Sequence, residues 1–218
     1  MEAAMKLKFT AIVFWSTLAW ILGTYGLLLA ADSGGSQSAV ISGLKPELTL
    51  AQGISLSPGL LPIYIDKFVR HIVELPLLDP KTTQAKRGKP ILILNKTFGI
   101  GEKIFDSGRS RGLGIQMYGF IKFAQVGQYE LMAKSNDGIR VTICGKITVD
   151  DPKVHGDQFS NVSALNITSP GWYPVMIQYF QRKGTACIEM HWKEPGSSQF
   201  TIIPADAYAH RADVKTAP

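Results

Sequence analysis

The chain has 218 residues, 45% of them apolar, and a formal net charge of +6. That length gives room for one domain of ordinary size plus extras, and that content can fill a real core. Lysines and arginines are scattered apart from Lys86-Arg87-Gly88-Lys89. With no basic stripe interleaved with aromatics, nucleic acid is excluded as a partner, and so mild a charge suits weak attraction to anionic glycans or lipid headgroups.

Residues 9–31 contain no charge and follow Lys6 and Lys8. About 20 apolar residues span a bilayer as a helix. A cleaved signal would have a shorter apolar core with small residues at the −3 and −1 positions. The exit Leu28-Leu29-Ala30-Ala31 puts Leu at −3, and Thr24-Tyr25-Gly26 is a poorer second site. An uncleaved transmembrane anchor over residues 1–31 is expected, with a cleaved signal as the alternative. In either case the basic end stays in the cytoplasm and the rest is exported. The expected location is therefore membrane-anchored, with the C-terminal domain extracytoplasmic, in a periplasm or on a cell surface.

Residues 32–57 read as a flexible linker, because Ser33-Gly34-Gly35-Ser36-Gln37-Ser38 offers little apolar surface to bury. Leu61, Ile65, Phe68, Val69, Ile72 and Val73 follow helical spacing, with Pro62 suited to a first turn. A short amphipathic helix is the favoured reading there, and a first strand at Tyr64-Ile65 is the alternative. Residues 81–89 read as a polar, solvated loop.

From Pro90 onward the pattern is that of β-structure. The most informative stretch is 119–151. Ile121 and Phe123 alternate with Phe120 and Lys122; Tyr129, Leu131 and Ala133 with Glu130, Met132 and Lys134; Val141 and Ile143 with Arg140 and Thr142. A period of two turns one face of each run inward. Val126-Gly127-Gln128 and Asn136-Asp137-Gly138 break the runs, which reads as a β-meander with a hairpin at the second break. Short runs at 162–168, 173–180, 185–192 and 200–203 follow, each bounded by Gly, Pro, Asn or Ser, and together predict an antiparallel sandwich. Tyr173, Tyr179 and Trp192 share the phase of apolar neighbours and are expected in the core, whereas Trp172 falls in a turn and is the best exposed aromatic. Cys144 and Cys187 lie on the polar phase of distant runs; an exported domain admits a disulfide between them, and two unpaired thiols are the alternative.

In order and spacing these residues resemble the protective-antigen-type (PA-fourteen) domain, a β-sandwich of toxins, bacterial glycosidases and yeast flocculins and adhesins. The resemblance is carried by Gly119-Phe120, Gly127-Gln128-Tyr129, Ser135-Asn136-Asp137-Gly138, Cys144-Gly145-Lys146 and Thr148-Val149-Asp150. Downstream, Gly171-Trp172-Tyr173-Pro174-Val175, Gln178-Tyr179-Phe180, the run from Ala186 to Trp192, and Ile202-Ile203-Pro204 continue it. It is best supported over 119–204 and extends back to Pro58, so the expected sandwich is 58–207, with 208–218 a C-terminal tail.

The resemblance implies an all-β, antiparallel, extracytoplasmic sandwich that often recognises carbohydrate. In sugar-binding members two adjacent aspartates in the Ser-Asp-Asp-Gly turn hold a calcium ion, which binds sugar hydroxyls. Here the first of these is Asn136, whose amide oxygen can coordinate but carries no charge. The candidate ligand residues are thus Asn136, Asp137 and Trp172. Asn136 and Asp137 are the candidate calcium ligands, Asp150, Asp151 and Asp157 auxiliaries, and no cofactor is required. A plain turn is the competing reading of Asn136-Asp137-Gly138.

The four histidines, His71, His155, His191 and His210, have no nucleophile or paired carboxylate at a telling spacing, so no catalytic residues are assigned and no enzyme is expected. His191 and Glu189 read as a solvated strand face. Asn95-Lys96-Thr97, Asn161-Val162-Ser163 and Asn166-Ile167-Thr168 fit the glycosylation pattern, which matters only in a eukaryotic secretory pathway. A membrane-anchored binding or adhesion module for glycan is expected. The alternative is a structural or assembly protein of the envelope whose partner is another envelope protein.

Overall fold

The computed structural model describes residues 39–81 and 83–212. The apolar segment 9–31 lies outside them, and no helix among the described residues is long and apolar enough to cross a membrane. Among the described residues thirteen strands follow in chain order: β1 (Leu56–Pro58), β2 (Leu61–Asp66), β3 (Asn95–Phe98), β4 (Leu113–Phe123), β5 (Gly127–Asn136), β6 (Ile139–Ile143), β7 (Lys146–Asp151), β8 (Gln158–Phe159), β9 (Ser163–Ile167), β10 (Gly171–Gln181), β11 (Ala186–Lys193), β12 (Thr201–Ile202) and β13 (Tyr208–Arg211). They form two antiparallel sheets. The larger runs β1-β13-β4-β10-β6-β7, with β2 on β4 beside β13. The smaller runs β12-β11-β5-β8, with β3 on β11 and β9 on β5.

The inward phase read from the sequence holds. Tyr129, Leu131 and Ala133 from β5 face Ile139, Val141 and Ile143 from β6 and Tyr173, Ile177 and Tyr179 from β10, all buried in one core between the sheets. Phe123 packs edge-on against Tyr129 and Tyr173, with centroids 4.7 and 5.2 Å away. Each such ring contributes about 1.5–3 kcal/mol by leaving water.

The expected meander is corrected. β5 pairs with β11, β8 and β9 in the smaller sheet, while β4 and β6 flank β10 in the larger one. The break at Asn136-Asp137-Gly138 is therefore a crossing from one sheet to the other and not a hairpin. Alternation fixes which side faces in, but two inward faces look alike whichever sheet they come from.

The favoured helix is corrected too. Residues 61–66 form strand β2 along β4, and only Ile72–Glu74 makes a 3₁₀ turn. Pro62 does not interrupt the ladder. The Tyr64 N–H, at the same parity, points away from β4 to the Lys86 carbonyl, so the donor that Pro62 lacks belongs to the edge facing residues 86–88 and not to the β4 ladder.

Both ends of the expected sandwich move outward. Residues 39–57, read as linker, lie on the sandwich in the structure: Ile41 bridges Leu165, Leu44 is fully buried, Leu48 bridges Trp172, and β1 pairs with β13. The expected tail begins with β13, in which Tyr208, Ala209 and His210 are buried.

The two sheets differ on their outer sides. Leu48 and Leu56 cover Phe120, Trp172 and Ala209 at one end of the larger sheet. Ile65, Val69, Ile72 and Leu75 cover Phe180 at the other. The outer side of the smaller sheet instead carries Lys134, Glu189 and His191.

Candidate functional site

Asn136 closes β5, and the chain then crosses to the larger sheet. The crossing is pinned to β10 by three bonds. Asp137 N–H donates to the Phe180 carbonyl (3.1 Å), Phe180 N–H to the Gly138 carbonyl (3.0 Å), and the Tyr179 hydroxyl to the Asn136 carbonyl. Gly138 is required here: a Cβ would lie 2.6 Å from the Phe180 ring and 2.8 Å from the Lys153 carbonyl oxygen. The Asn136–Asp137 peptide is cis.

Both side chains of this corner are nearly buried, Asn136 at 8% exposure and Asp137 at 4%. Asn136 Nδ2 donates to Asp157 Oδ1 at 2.9 Å and to Thr185 Oγ1 at 3.2 Å. Asp137 Oδ2 accepts from the Arg182 N–H at 2.7 Å. Burial raises the Asp137 carboxyl above its ordinary value, and the opposing pull of the Arg182 N–H and of nearby His155 does not offset it.

Around the buried pair lies a more open rim on the outer side of the smaller sheet. Lys134 Nζ stands 3.8 Å from Asp157 Oδ2 and 3.7 Å from Glu189 Oε1. Glu189 Oε2 meets His191 Nε2 at 2.9 Å, and the half-exposed Phe159 ring packs edge-on to His191 at 5.3 Å. Lys134, Thr185, Arg182 and Phe159 were not singled out by sequence reasoning. The signal that could have found the first is its place two residues before Asn136 on the outward phase of β5.

The other expected site residues lie elsewhere. Trp172 is not in a turn and not exposed. It belongs to β10, is only 9% exposed, packs on Phe120, and has Lys122 Nζ 5.6 Å from its ring. A Cβ on Gly53 would fall 1.8 Å from its indole nitrogen, so residues around Gly53 close over it. Phe180, the strand partner of the corner, is eight residues further along β10, so about 26 Å of strand separates the two candidates.

Of the auxiliary acids, only Asp157 joins the corner. Asp150 takes the Arg140 fork at 2.8 and 3.1 Å, and Asp151 meets His155 Nε2 at 3.2 Å.

The disulfide that an exported domain would admit does not form, and the alternative of two unpaired thiols holds. Cys144 sits beside Pro174 with its Sγ on the Lys45 carbonyl, whereas Cys187 lies opposite Asn136. Pro174 and Phe180 mark a separation of about 20 Å along β10, beyond the reach of a bond that needs Cα atoms within about 7 Å. Burial, with Glu189 nearby, pushes the Cys187 thiol up to about 11.

The corner's donor set does not fit a calcium ion. Such an ion wants six to eight oxygens turned towards it. Here both Asp157 oxygens face nitrogen donors, an Asp137 oxygen is held by a backbone N–H, and the Asn136 amide presents nitrogen to the carboxylate. No cluster of three or more His, Cys, Asp or Glu suited to a metal occurs among the described residues.

A concavity of about 360 Å³ lies on the outer side of the larger sheet between its two covers, floored by Leu61, Tyr118, Phe120, Pro174 and Met176 with Arg211 at its rim. Its character is apolar.

The sequence model of one family, described as the PA14 domain, matches residues 106–206. No curated protein matches the chain. Among solved structures, an anti-sigma factor domain-containing protein from Clostridium clariflavum is similar with a TM-score of 0.56 and 15% identity, over 70% of this chain and 47% of its own. This chain thus spans about half the length of that protein. A PA14 sugar-binding domain from an RTX adhesin gives 0.54 and 17%, covering 70% of this chain and 98% of that one. The Epithelial Adhesin 6 A domain from Candida glabrata, in complex with Galb1-3GlcNAc, gives 0.52 and 13%, covering 77% and 91%. At these identities the likeness shows the fold.

Proposed function

We propose that this chain, whose residues 106–206 carry a PA14 domain, is a carbohydrate-binding and adhesion module, exported and held at a membrane by residues 9–31. The observation that carries the reading is the corner at Asn136-Asp137. Its rim sets Lys134 and Asp157 beside the half-exposed Phe159 ring. Charged groups that hydrogen-bond hydroxyls next to one apolar ring face are what a sugar ring requires. Similar folds in the sugar-binding PA14 domain of the RTX adhesin and in Epithelial Adhesin 6 bound to Galb1-3GlcNAc support it.

Binding rather than catalysis is the proposed activity. The histidines are engaged in structural contacts: His71 with the Val73 N–H, His155 with Asp151, His191 with Glu189, and His210 with the Gly59 carbonyl. The second reading, an envelope assembly protein, is favoured by the apolar concavity on the larger sheet.

A glycan array probed with the full chain, in calcium and in chelator, tests the first reading. Signal on β-galactosyl disaccharides in both conditions is expected, and an array blank in both conditions sinks it. A stable protein partner recovered by crosslinking would then favour the second reading. For the anchor, sequencing of the mature N-terminus should find the chain uncleaved; a start near Asp32 would refute it.

A further inference from the structure

We infer that this chain carries a built-in cation at its corner: the Lys134 ammonium and the Asn136 amide together hold the Asp157 carboxylate, so the corner is formed without a metal ion. The inference holds whether or not the corner binds sugar.

A carboxylate only accepts, so the amide that faces Asp157 Oδ1 at 2.9 Å must present its nitrogen, and the second hydrogen of that nitrogen reaches Thr185 Oγ1 at 3.2 Å. The Asn136 amide oxygen is therefore turned away from Asp157, and the two cannot share one ion. Lys134 Nζ lies on the other Asp157 oxygen at 3.8 Å and also reaches Glu189 at 3.7 Å, which puts a positive charge among the acids. The Asn136 carbonyl is taken by the Tyr179 hydroxyl and Asp137 Oδ2 by the Arg182 N–H. Asn136 and Asp137 are 8% and 4% exposed, so water completes little of the remaining shell.

One residue controls this arrangement. In Asn136→Asp the NH₂ that bridges Asp157 and Thr185 is gone, and a second carboxylate faces Asp157 with Asp137 adjoining. Three acids, of which one at most pairs with Lys134, then create the demand for a divalent ion that the native chain meets internally.

The experiment is thermal unfolding of the full chain in millimolar calcium and in chelator, with terbium luminescence as a direct probe of ion binding. The native chain should melt within about 1 °C in the two conditions and give no terbium signal. Asn136→Asp should melt lower in chelator and recover by about 4 °C in calcium, the size expected when millimolar calcium meets a site of about 0.1 mM affinity in a domain this large. Should Asn136→Asp fail to fold even in calcium, Lys134→Gln supplies the readout. It removes the built-in charge while leaving Asn136 in place, and is expected to gain a terbium signal and a smaller calcium response. A native chain stabilised by calcium overturns the inference. So does an Asn136→Asp protein that folds but ignores the ion, or a Lys134→Gln protein without any ion response.

Discussion

The outer sides of the two sheets have opposite characters. On the larger sheet, Phe120, Trp172 and Phe180 point away from the core yet are covered, by Leu48 and Leu56 at one end and by Val69, Ile72 and Leu75 at the other, with Met176 lining the concavity between them. On the smaller sheet the equivalent positions carry paired charges: Lys134 with Glu189, Glu189 with His191, and Lys193 with Glu130. Most of one side is thus held by the chain's own flanking segments, whereas the other stays available to solvent and to a polar ligand. The corner at Asn136-Asp137 belongs to the second side, although its crossing peptide is anchored on the first through Phe180.

Substitutions on the covered side should act on stability. Leu44→Ala is expected to lower unfolding free energy by about 3 kcal/mol, because a fully buried leucine leaves a cavity. Chemical denaturation measures it, and a change within about 0.5 kcal/mol would mean that residues 39–57 do not pack on the sandwich. Trp172→Ala should cost a comparable amount, about 3 kcal/mol, while leaving glycan affinity unchanged. Loss of binding at full stability would make Trp172 a ligand residue after all.

Between the two sides, Asp137→Asn alters the pH profile. Burial raises the Asp137 carboxyl in the folded state, so the fold prefers its protonated form. That contribution is fully present below the unfolded-state value and is lost as pH rises through the raised value. Asparagine keeps an acceptor for the Arg182 N–H and cannot ionise. The variant should therefore gain stability relative to the native chain as pH rises from about 4 to neutrality. Parallel profiles would show that Asp137 is not desolvated. The smallest effect is expected at Lys193→Ala, at most about 0.5 kcal/mol, since its pair with Glu130 is partly solvated.

Much of the fold was legible in the residues, because alternation is a direct consequence of the pleat. Tyr129, Leu131, Tyr173, Tyr179 and Trp192 point inward as their phase requires. What alternation omits is the identity of the partner strand, which is why the crossing at Asn136-Asp137-Gly138 reads as a hairpin. It also omits what covers the other side. Leu44 lies among Gly43, Lys45 and Pro46 in a stretch with no regular alternation, and its burial depends on strands some hundred residues away. Trp172 follows Pro170-Gly171, a turn signature, yet already pairs with Lys122 near one end of a ladder. Within the helical spacing from Leu61 to Val73, a strand and an irregular cover bury Leu61, Val69 and Ile72 on the same sheet, while Phe68 and Val73 stay exposed. At the site, Asn136 and Asp137 were found by their order in the chain, while Lys134, Thr185 and Phe159 converge only through the pairing of β5 with β11 and β8.

Hydrogen exchange of the full chain, with and without the disaccharide that gives the strongest array signal, tests the central claim most directly. A sugar held at the corner slows exchange of backbone amides at residues 134–137, 157–159 and 182–189, in chelator as in calcium. Protection confined to residues 118–120 and 174–176, on the apolar side of the larger sheet, or no protection anywhere, would contradict it.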